Sequence, residues 1–137
     1  VGGLESAPHL ASGGAAGEEF ASIRSQLAAG VDALEGATNW IMGNGLADPV
    51  QALAGATPYL RMFGLVTGGW LLGRLALGAR DELASADDSD AAWLRAKIAS
   101  ARFYCEQVLP QAAGLVPSVQ AGASVLYEVT PESLASV

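Results

Sequence analysis

The chain has 137 residues, long enough for one domain with a buried core, and its 27 Ala, 18 Leu and 17 Gly favour helices over strands. Fourteen acidic residues against seven basic ones give a net charge of −7 at pH 7, which excludes the basic surface that nucleic acid or anionic lipid requires. The single cysteine, Cys105, excludes an intrachain disulfide framework, and the single histidine, His9, excludes a multi-histidine metal centre within one chain.

Residues 1–17 are rich in Gly, Ala and Ser and contain Pro8, so we expect a linker or arm rather than part of the core. This segment has neither a basic region nor a continuous apolar stretch of the kind that a signal peptide needs. Without an export signal, we expect a cytoplasmic protein. The first residue is Val1 rather than an initiator Met, so we expect this chain to be cut from a longer one. We expect residues 18–137 to form a helical bundle.

The first predicted helix begins near Glu18 and Glu19, whose charges favour the positive end of the helix dipole. Mostly apolar residues then recur at steps of three and four, which draws one stripe down a helix of about seven turns. The stripe consists of Phe20, Ile23, Leu27, Val31, Leu34, Thr38 and Ile41. A glycine-rich stop at Gly43–Gly45 predicts where this helix ends.

The second predicted helix has a clear start, because Asp48 is a good N-cap and Pro49 suits the first helical position. The helical pattern continues toward Ala86. Pro58 lies inside it and cannot donate a hydrogen bond to the Ala54 carbonyl, so we expect a kink or a break there.

From Leu60 onward this helix is apolar nearly all the way round, a pattern typical of a helix that is buried on every side. The apolar residues are Leu60, Phe63, Leu65, Val66, Trp70, Leu71, Leu72, Leu75 and Leu77. Two small-xxx-small pairs would let another backbone come close, and they are formed by Gly64, Gly68, Gly69 and Gly73. Arg61 and Arg74 leave too short an uncharged stretch for the roughly 20 residues of a membrane span, so we predict none.

The segment Ser85–Asp90 is acidic and resembles the start of a calcium loop, but Ala92 occupies the next ligand position. We therefore predict a solvated turn whose carboxylates cap the next helix.

The third predicted helix has the strongest periodicity, with an apolar stripe at alternating steps of four and three. The stripe consists of Leu94, Ile98, Ala101, Cys105, Val108, Ala112, Leu115, Val119, Gly122 and Leu126. Pro110 and Pro117 lie seven residues apart on the opposite face, so we expect one long helix bent twice rather than three short ones. Thr130 then predicts the start of a short fourth helix.

Three long helices joined by short turns predict an all-α antiparallel bundle. The first and third helices each offer one apolar stripe, whereas the second is apolar all round. Because two neighbours cannot cover four sides, we expect the remaining face to meet a second copy of the chain or a larger body.

Six residues are candidates for an interface: Tyr59, Arg61, Trp70, Arg74, Arg102 and Tyr104. We expect Arg61 and Arg74 to be nearly buried, so each needs a salt bridge from a neighbouring helix, an anionic ligand or a partner domain. The three aromatic residues fit either the core or an interface anchor. Arg102 pairs with Glu106 one turn away.

No residue pattern in the chain predicts a catalytic, cofactor-binding or metal-binding site. Cys105 lies on the core stripe beside Glu106, so we predict a packed and inert thiol. His9 has no acid or nucleophile near it in sequence, and we expect it at the surface.

Several stretches resemble a known family. They are AGATPYLRMFG at Ala54–Gly64, GGWLL at Gly68–Leu72, AKIASARFY at Ala96–Tyr104 and VLPQAAGL at Val108–Leu115. Together, over residues 18–128, they resemble the C-terminal helical extension of the larger bacterial acyl-CoA dehydrogenases of the methylthiopropanoyl-CoA dehydrogenase-like subgroup.

The resemblance implies a parent flavoenzyme of fatty acid metabolism that oxidises an acyl-CoA and passes the electrons to FAD. It places the catalytic Glu and most flavin contacts in a preceding body, so it implies no catalytic residue here. The segment would be an accessory domain that packs on that body or on a second subunit of a homo-oligomer such as a dimer. A free-standing helical interaction or dimerisation module is the alternative.

Overall fold

The computed structural model describes residues 15–135, and every regular element in this range is helical, which confirms the predicted all-α class. Three long helices form the bundle, and short helical segments complete the chain. The elements are α1 (Ala15–Gly45), α2 (Pro49–Ala54), α3 (Ala56–Leu83), α4 (Asp88–Phe103), a π-helical turn (Tyr104–Val108), α5 (Gln111–Gly114), α6 (Val116–Gln120), a 3-10 turn (Ser124–Tyr127) and α7 (Pro131–Leu134). Most of the predicted arm, with His9, lies outside the described residues.

The second predicted helix is broken at Gly55 into α2 and α3, as Pro58 indicated. Asp48 caps α2, because its carboxylate accepts a hydrogen bond from the Val50 N–H at 3.1 Å. Pro58 falls in the first turn of α3, where an N–H has no partner within the helix in any case. A Cβ at Gly55 would lie 2.5 Å from the carbonyl oxygen of Val119 in α6. Glycine is therefore needed where α6 packs against the junction of α2 and α3.

Contacts near their ends show that α1 and α3 run antiparallel. Phe20, early in α1, lies under the guanidinium of Arg80, late in α3, at 5.5 Å. At the other end, the hydroxyls of Thr38 and Tyr59 are 2.9 Å apart. The two longest helices are therefore in contact along most of their length.

The helix α4 packs antiparallel to α3 and makes its most extensive contact with it. The hydroxyl of Tyr104, just after α4, donates to the Leu65 carbonyl in the first half of α3 at 3.1 Å. Trp93, near the start of α4, shares a shallow pocket with Leu72 and Leu75 in the second half of α3. Together with the α1–α3 pair, this confirms the predicted antiparallel bundle.

The third predicted helix is divided, so the prediction of one continuous helix is wrong. After α4 the chain forms the π-helical turn, in which the Leu109 N–H donates to the Tyr104 carbonyl, five residues back, at 2.9 Å. Pro110 has no N–H and interrupts the hydrogen-bond ladder, and Pro117 falls in the first turn of α6. Leu109, Pro110 and Leu115 keep helical dihedral angles, which is why the apolar periodicity passes through both prolines.

The π-helical turn also changes which residue of this segment is buried. Leu109 is only 1% exposed, whereas Val108, which the periodicity placed on the stripe, is half-buried. A Cβ at Gly30 of α1 or at Gly69 of α3 would lie 3.0 Å from a methyl of Leu109. Leu109 therefore occupies the space that these two glycines leave between the long helices.

The core contains two groups of buried side chains. The larger group holds Phe20, Ile23, Leu27, Val66, Ala76, Ala79, Leu94, Ile98, Ala101, Cys105, Leu109 and Ala112, and the smaller holds Ala37, Met62 and Val119. The predicted stripes of the first and third helices account for most of these residues. Leu126 is exposed instead, because Gly122 turns the chain with a φ of 74° before the 3-10 turn.

The other two predicted caps are also confirmed. The Asp87 carboxylate accepts from the Asp90 N–H at 2.9 Å at the start of α4. Thr130 caps α7, and its hydroxyl accepts from the Ser133 N–H at 3.3 Å.

The helix α3 is long and apolar enough to cross a bilayer by length and composition alone, and 33% of its most apolar window is buried within the fold. The core helix of a soluble protein meets the same criterion. The absence of a membrane span therefore stays a prediction.

Candidate interaction surface

One side of α3 is apolar and uncovered. Buried residues of this helix, such as Met62, Val66, Gly69 and Gly73, lie on the side that faces α1 and α4. On the opposite side, four large side chains are at least half exposed: Leu60 (71%), Phe63 (50%), Leu71 (50%) and Leu75 (57%). With Gly64 and Gly78, they form a surface that we call the open face of α3. Single exposed apolar residues are common, but a row along one helix indicates an interaction site.

The glycines of α3 divide between the two sides of the helix. A Cβ at Gly68 would lie 2.6 Å from the Tyr104 hydroxyl, and one at Gly69 would lie 3.0 Å from Leu109. Gly64 and Gly78, in contrast, have no atom of a neighbouring element within 4 Å of the corresponding Cβ position among the described residues. Each mid-helix glycine costs roughly 0.5–1 kcal/mol relative to alanine, and at these two positions the described part of the fold does not explain that cost.

Arg61 and Arg74 are both exposed, so the prediction that they are nearly buried is wrong. Helical spacing puts Arg74 on the open face and Arg61 at its edge, away from the buried side. Among residues 15–135, neither arginine has a carboxylate within 4 Å, so the predicted salt bridge to a neighbouring helix is also not formed. The Arg74 guanidinium lies 5.6 Å from the centre of the Trp70 ring instead.

The three aromatic candidates lie inside the bundle rather than on one surface. Trp70 is half-buried against the larger core group, and Tyr59 packs against the smaller one. Tyr104 is half-buried and hydrogen-bonds to α3, and burial raises the pKa of its phenol, with a contribution from the adjacent Cys105. These residues connect the helices. Trp70 also contacts Arg74 on the open face, and Tyr59 lines an apolar groove beside it.

Arg102 belongs to a polar contact between α1 and the segment after α4. Its Nε donates to the Glu106 carboxylate at 2.7 Å, as the spacing predicted, and a second carboxylate, that of Glu19, lies 3.9 Å from Nη1. The Ser22 hydroxyl donates to the same Glu106 oxygen at 2.7 Å. The hydrogen bonds from Ser22 and Arg102 lower the pKa of Glu106, and Glu106 raises that of Arg102. The six candidates thus do not form one site.

The prediction of a packed Cys105 is confirmed. The side chain is fully buried, and burial, with a smaller effect of Glu106, raises the pKa of the thiol to about 11. Among residues 15–135, no group of three or more His, Cys, Asp or Glu side chains could hold a metal ion.

An apolar groove at one end of the molecule was not predicted. It has a volume of about 670 Å³ and lies between the end of α1, the helix α2 and the start of α3. Its lining residues are Ile41, Met42, Gly45, Leu46, Pro49, Ala52, Leu53, Ala56, Tyr59 and Leu60. Leu60 belongs to both surfaces, so the groove continues the open face. The signal that could have found it is the run of Leu46, Leu53 and Leu60 at intervals of seven.

A second feature that the sequence analysis missed is exposed aromatic surface on α4. Trp93 is 61% and Phe103 64% exposed, and the Lys97 ammonium lies 3.4 Å from the centre of the Trp93 ring. Trp93 and Leu75 line the same pocket of about 210 Å³, so the apolar surface extends from α3 onto α4. Both aromatic residues lie off the apolar stripe of the third helix, which is the sequence signal for their exposure.

Comparison with known proteins adds two findings. A family model described as acetyl-CoA dehydrogenase C-terminal like matches residues 6–130 of the chain. The chain is also similar to 3-methylmercaptopropionyl-CoA dehydrogenase of Ruegeria pomeroyi, with 38% identity over 104 residues. This match covers 73% of the present chain but only 16% of that relative. The chain therefore spans about one sixth of the length of the relative it matches.

Proposed function

Because this chain belongs to the family of acetyl-CoA dehydrogenase C-terminal-like domains, we propose that it is the accessory helical domain of an FAD-dependent acyl-CoA dehydrogenase. The domain packs on the catalytic body of the longer chain, which we call the parent enzyme, and supports its assembly into a homo-oligomer such as a dimer. It contributes no catalytic residue of its own.

The observation that carries this proposal is the open face of α3. Leu60, Phe63, Leu71 and Leu75 present apolar surface in a row, and the adjoining groove and Trp93 extend it. Covering such a surface contributes roughly 25 cal/mol per Å² of apolar area removed from water. The match covers about one sixth of the relative. A parent enzyme of similar length has a larger body that can cover this apolar surface.

The described residues do not fit a flavin site. FAD requires partners for its pyrophosphate, as glycine-rich loops at helix N-termini or cationic side chains provide. The groove of about 670 Å³ offers the Tyr59 hydroxyl as its only polar side-chain group. We therefore assign FAD binding and the redox step to the body of the parent enzyme and derive no step of the reaction from this domain.

We propose a substrate of the class that the relative's name gives. Its name specifies an acyl-CoA thioester with a short sulfur-containing acyl chain, and this compound is the first to test with the parent enzyme. We propose a cytoplasmic enzyme of acyl-CoA oxidation, which fractionation of cells that produce the tagged parent enzyme would check.

The experiment compares the full-length parent enzyme with a variant that lacks residues 15–137. The measurements are molar mass by light scattering, flavin content from the visible spectrum, and reduction of an electron-acceptor dye with 3-methylmercaptopropionyl-CoA as substrate. We expect the shortened enzyme to lose its oligomeric state or its soluble yield. Any correctly folded, flavin-loaded fraction should keep measurable turnover, because the catalytic groups lie elsewhere.

Two outcomes would contradict the proposal. A shortened enzyme with unchanged mass, yield and turnover would show that the domain is dispensable for assembly. A flavin spectrum from the segment alone would show that it holds the cofactor. A long polar linker in place of residues 15–137 is the control for loss of chain length.

A further inference from the structure

We propose that the open face of α3 receives an α-helix from the catalytic body of the parent enzyme, and that this helix runs along α3 between Gly64 and Gly78. The inference rests on the proposed function and specifies which surface docks and what docks on it. The two glycines are about 21 Å apart along the helix axis, at 1.5 Å per residue.

The glycines are the first argument. On the inner side of α3, Gly68 and Gly69 allow Tyr104 and Leu109 to approach to within 3 Å of the position that a Cβ would take. Gly64, on the outer side, also lies well away from the ends of α3. Neither Gly64 nor Gly78 has a neighbouring element within 4 Å of its Cβ position in the described structure. Because Gly64 and Gly78 lie beside the exposed Leu60, Leu71 and Leu75 and carry no side chain, they leave room for a backbone to approach this apolar surface closely.

The spacing of the open face indicates what kind of element covers it. Gly64, Leu71 and Gly78 are separated by seven residues each, close to two helical turns, so they form a line nearly parallel to the helix axis. A seven-residue repeat is the pattern of helices that pack at a crossing angle of about 20°. Leu71 lies between the two glycines, where it would pack between side chains of the incoming helix.

Charge separates the catalytic body from a second copy of this chain. Arg74 lies on the open face with no carboxylate within 4 Å in the part of the chain that the structure describes. A symmetric pair of chains would place the same face on both sides. Residues 60–78 contain two arginines and no Asp or Glu, so the open face of a second copy offers Arg74 no carboxylate. We therefore assign the contact to a helix of the body that carries an acidic residue opposite Arg74.

The test uses alanine substitutions whose effects have opposite signs for a free and a covered face. In the full-length parent enzyme, Gly36→Ala on α1 is the matched control, because Gly36 is also mid-helix, exposed and without a neighbour within 4 Å among the described residues. Alanine favours a free helix, so the control should raise the unfolding midpoint slightly, by about 1 °C in a protein as long as the parent enzyme. Gly64→Ala and Gly78→Ala should lower it, because a Cβ would push the docked helix away.

A photo-crosslinking residue at position 71 then identifies the occupant in the same full-length enzyme. We expect crosslinks from Leu71→p-benzoylphenylalanine to a helix of the catalytic body, and mass spectrometry locates the linked peptide. Crosslinks to α3 of a second copy, or no crosslink together with midpoints for Gly64→Ala and Gly78→Ala at or above the control, would overturn the inference. If deletion of the domain disrupts assembly and these results still occur, only the assigned surface is wrong and the proposed function stands.

Discussion

The outer sides of α1 and α3 differ although the two helices pack side by side. From Ala21 to Asn39, α1 exposes small, polar and charged residues, among them Arg24, Asp32 and Glu35, and no large apolar side chain. The outer side of α3 exposes leucines and a phenylalanine instead. Since the inner sides of both helices contribute to the same core, the fold itself does not require this difference. It is the difference expected if α1 faces solvent and α3 is covered in the parent enzyme, as we propose.

The two helices are also tied to their neighbours by different forces. In the N-terminal half of α1, the Ser22 hydroxyl donates to the Glu106 carboxylate in the segment after α4. Arg102, near the end of α4, donates to the same carboxylate. The contact between α3 and α4 depends on apolar side chains and on the hydrogen bond from Tyr104. The first connection should respond to pH, whereas the second should not over the same range.

The largest effect is expected where α1 and α3 share one side chain. Leu109→Ala should lower the free energy of unfolding of the chain by about 3 kcal/mol, because it leaves a cavity between Gly30 and Gly69. Val108→Ala is the control and should cost about 1 kcal/mol, since Val108 is only half-buried. Urea unfolding followed by circular dichroism measures both. Equal losses would mean that the π-helical turn does not decide which of Val108 and Leu109 faces the interior.

A charge placed on each outer side tests the comparison directly. In the parent enzyme, Leu71→Lys should weaken docking of the domain by about 2 kcal/mol, because the added cation is buried beside Arg74. Ala29→Lys on the outer side of α1 is the control and should stay within about 0.5 kcal/mol. Limited proteolysis or hydrogen exchange of α3 reports the docked fraction. Similar effects of the two substitutions would remove the distinction between the helices.

The smallest effect concerns the pH dependence of the connection at α1. The folded-state pKa of Glu106 is lowered from its ordinary value of 4.5, so its stabilisation is complete above that value and is lost as the pH falls through the folded pKa. Glu106→Gln should therefore destabilise the chain at pH 7 and have no effect at low pH. Glu35→Gln, on the exposed side of α1, is the control, and urea midpoints at several pH values provide the measurement. A Glu106→Gln effect that persists unchanged at low pH would contradict the assignment.

Much of the fold could be predicted from periodicity and caps. The stripes beginning at Phe20 and Leu94 placed α1 and α4, and Asp48 and Pro58 gave the start of α2 and the break before α3. These signals are local, because a cap or a proline acts within one turn of the chain. The surplus of apolar surface on the second predicted helix was also visible, since it follows from counting residues around one helix.

The errors came from features that depend on tertiary structure. Arg61 and Arg74 were placed inside because an all-apolar helix was taken to be covered on every side, whereas the fold covers one side only. The division of the third helix was missed because Pro110 preserves helical dihedral angles while it removes a hydrogen bond. The groove at Leu53 forms where α1, α2 and α3 converge, so the spacing of Leu46, Leu53 and Leu60 marks apolar residues in this region but does not show that they line one groove.

The π-helical turn at Tyr104–Val108 has a consequence for insertions and deletions in this family. It accommodates one residue more than an α-helix would over the same rise, and each residue of an α-helix rotates the chain by about 100°. Removal of a single residue from this turn would convert the bond between Leu109 and Tyr104 into an ordinary α-helical one and would leave Leu109, Ala112 and Val119 in the interior. The turn therefore absorbs a difference of one residue in length, and a related chain that is one residue shorter here can keep the same apolar positions downstream in the interior.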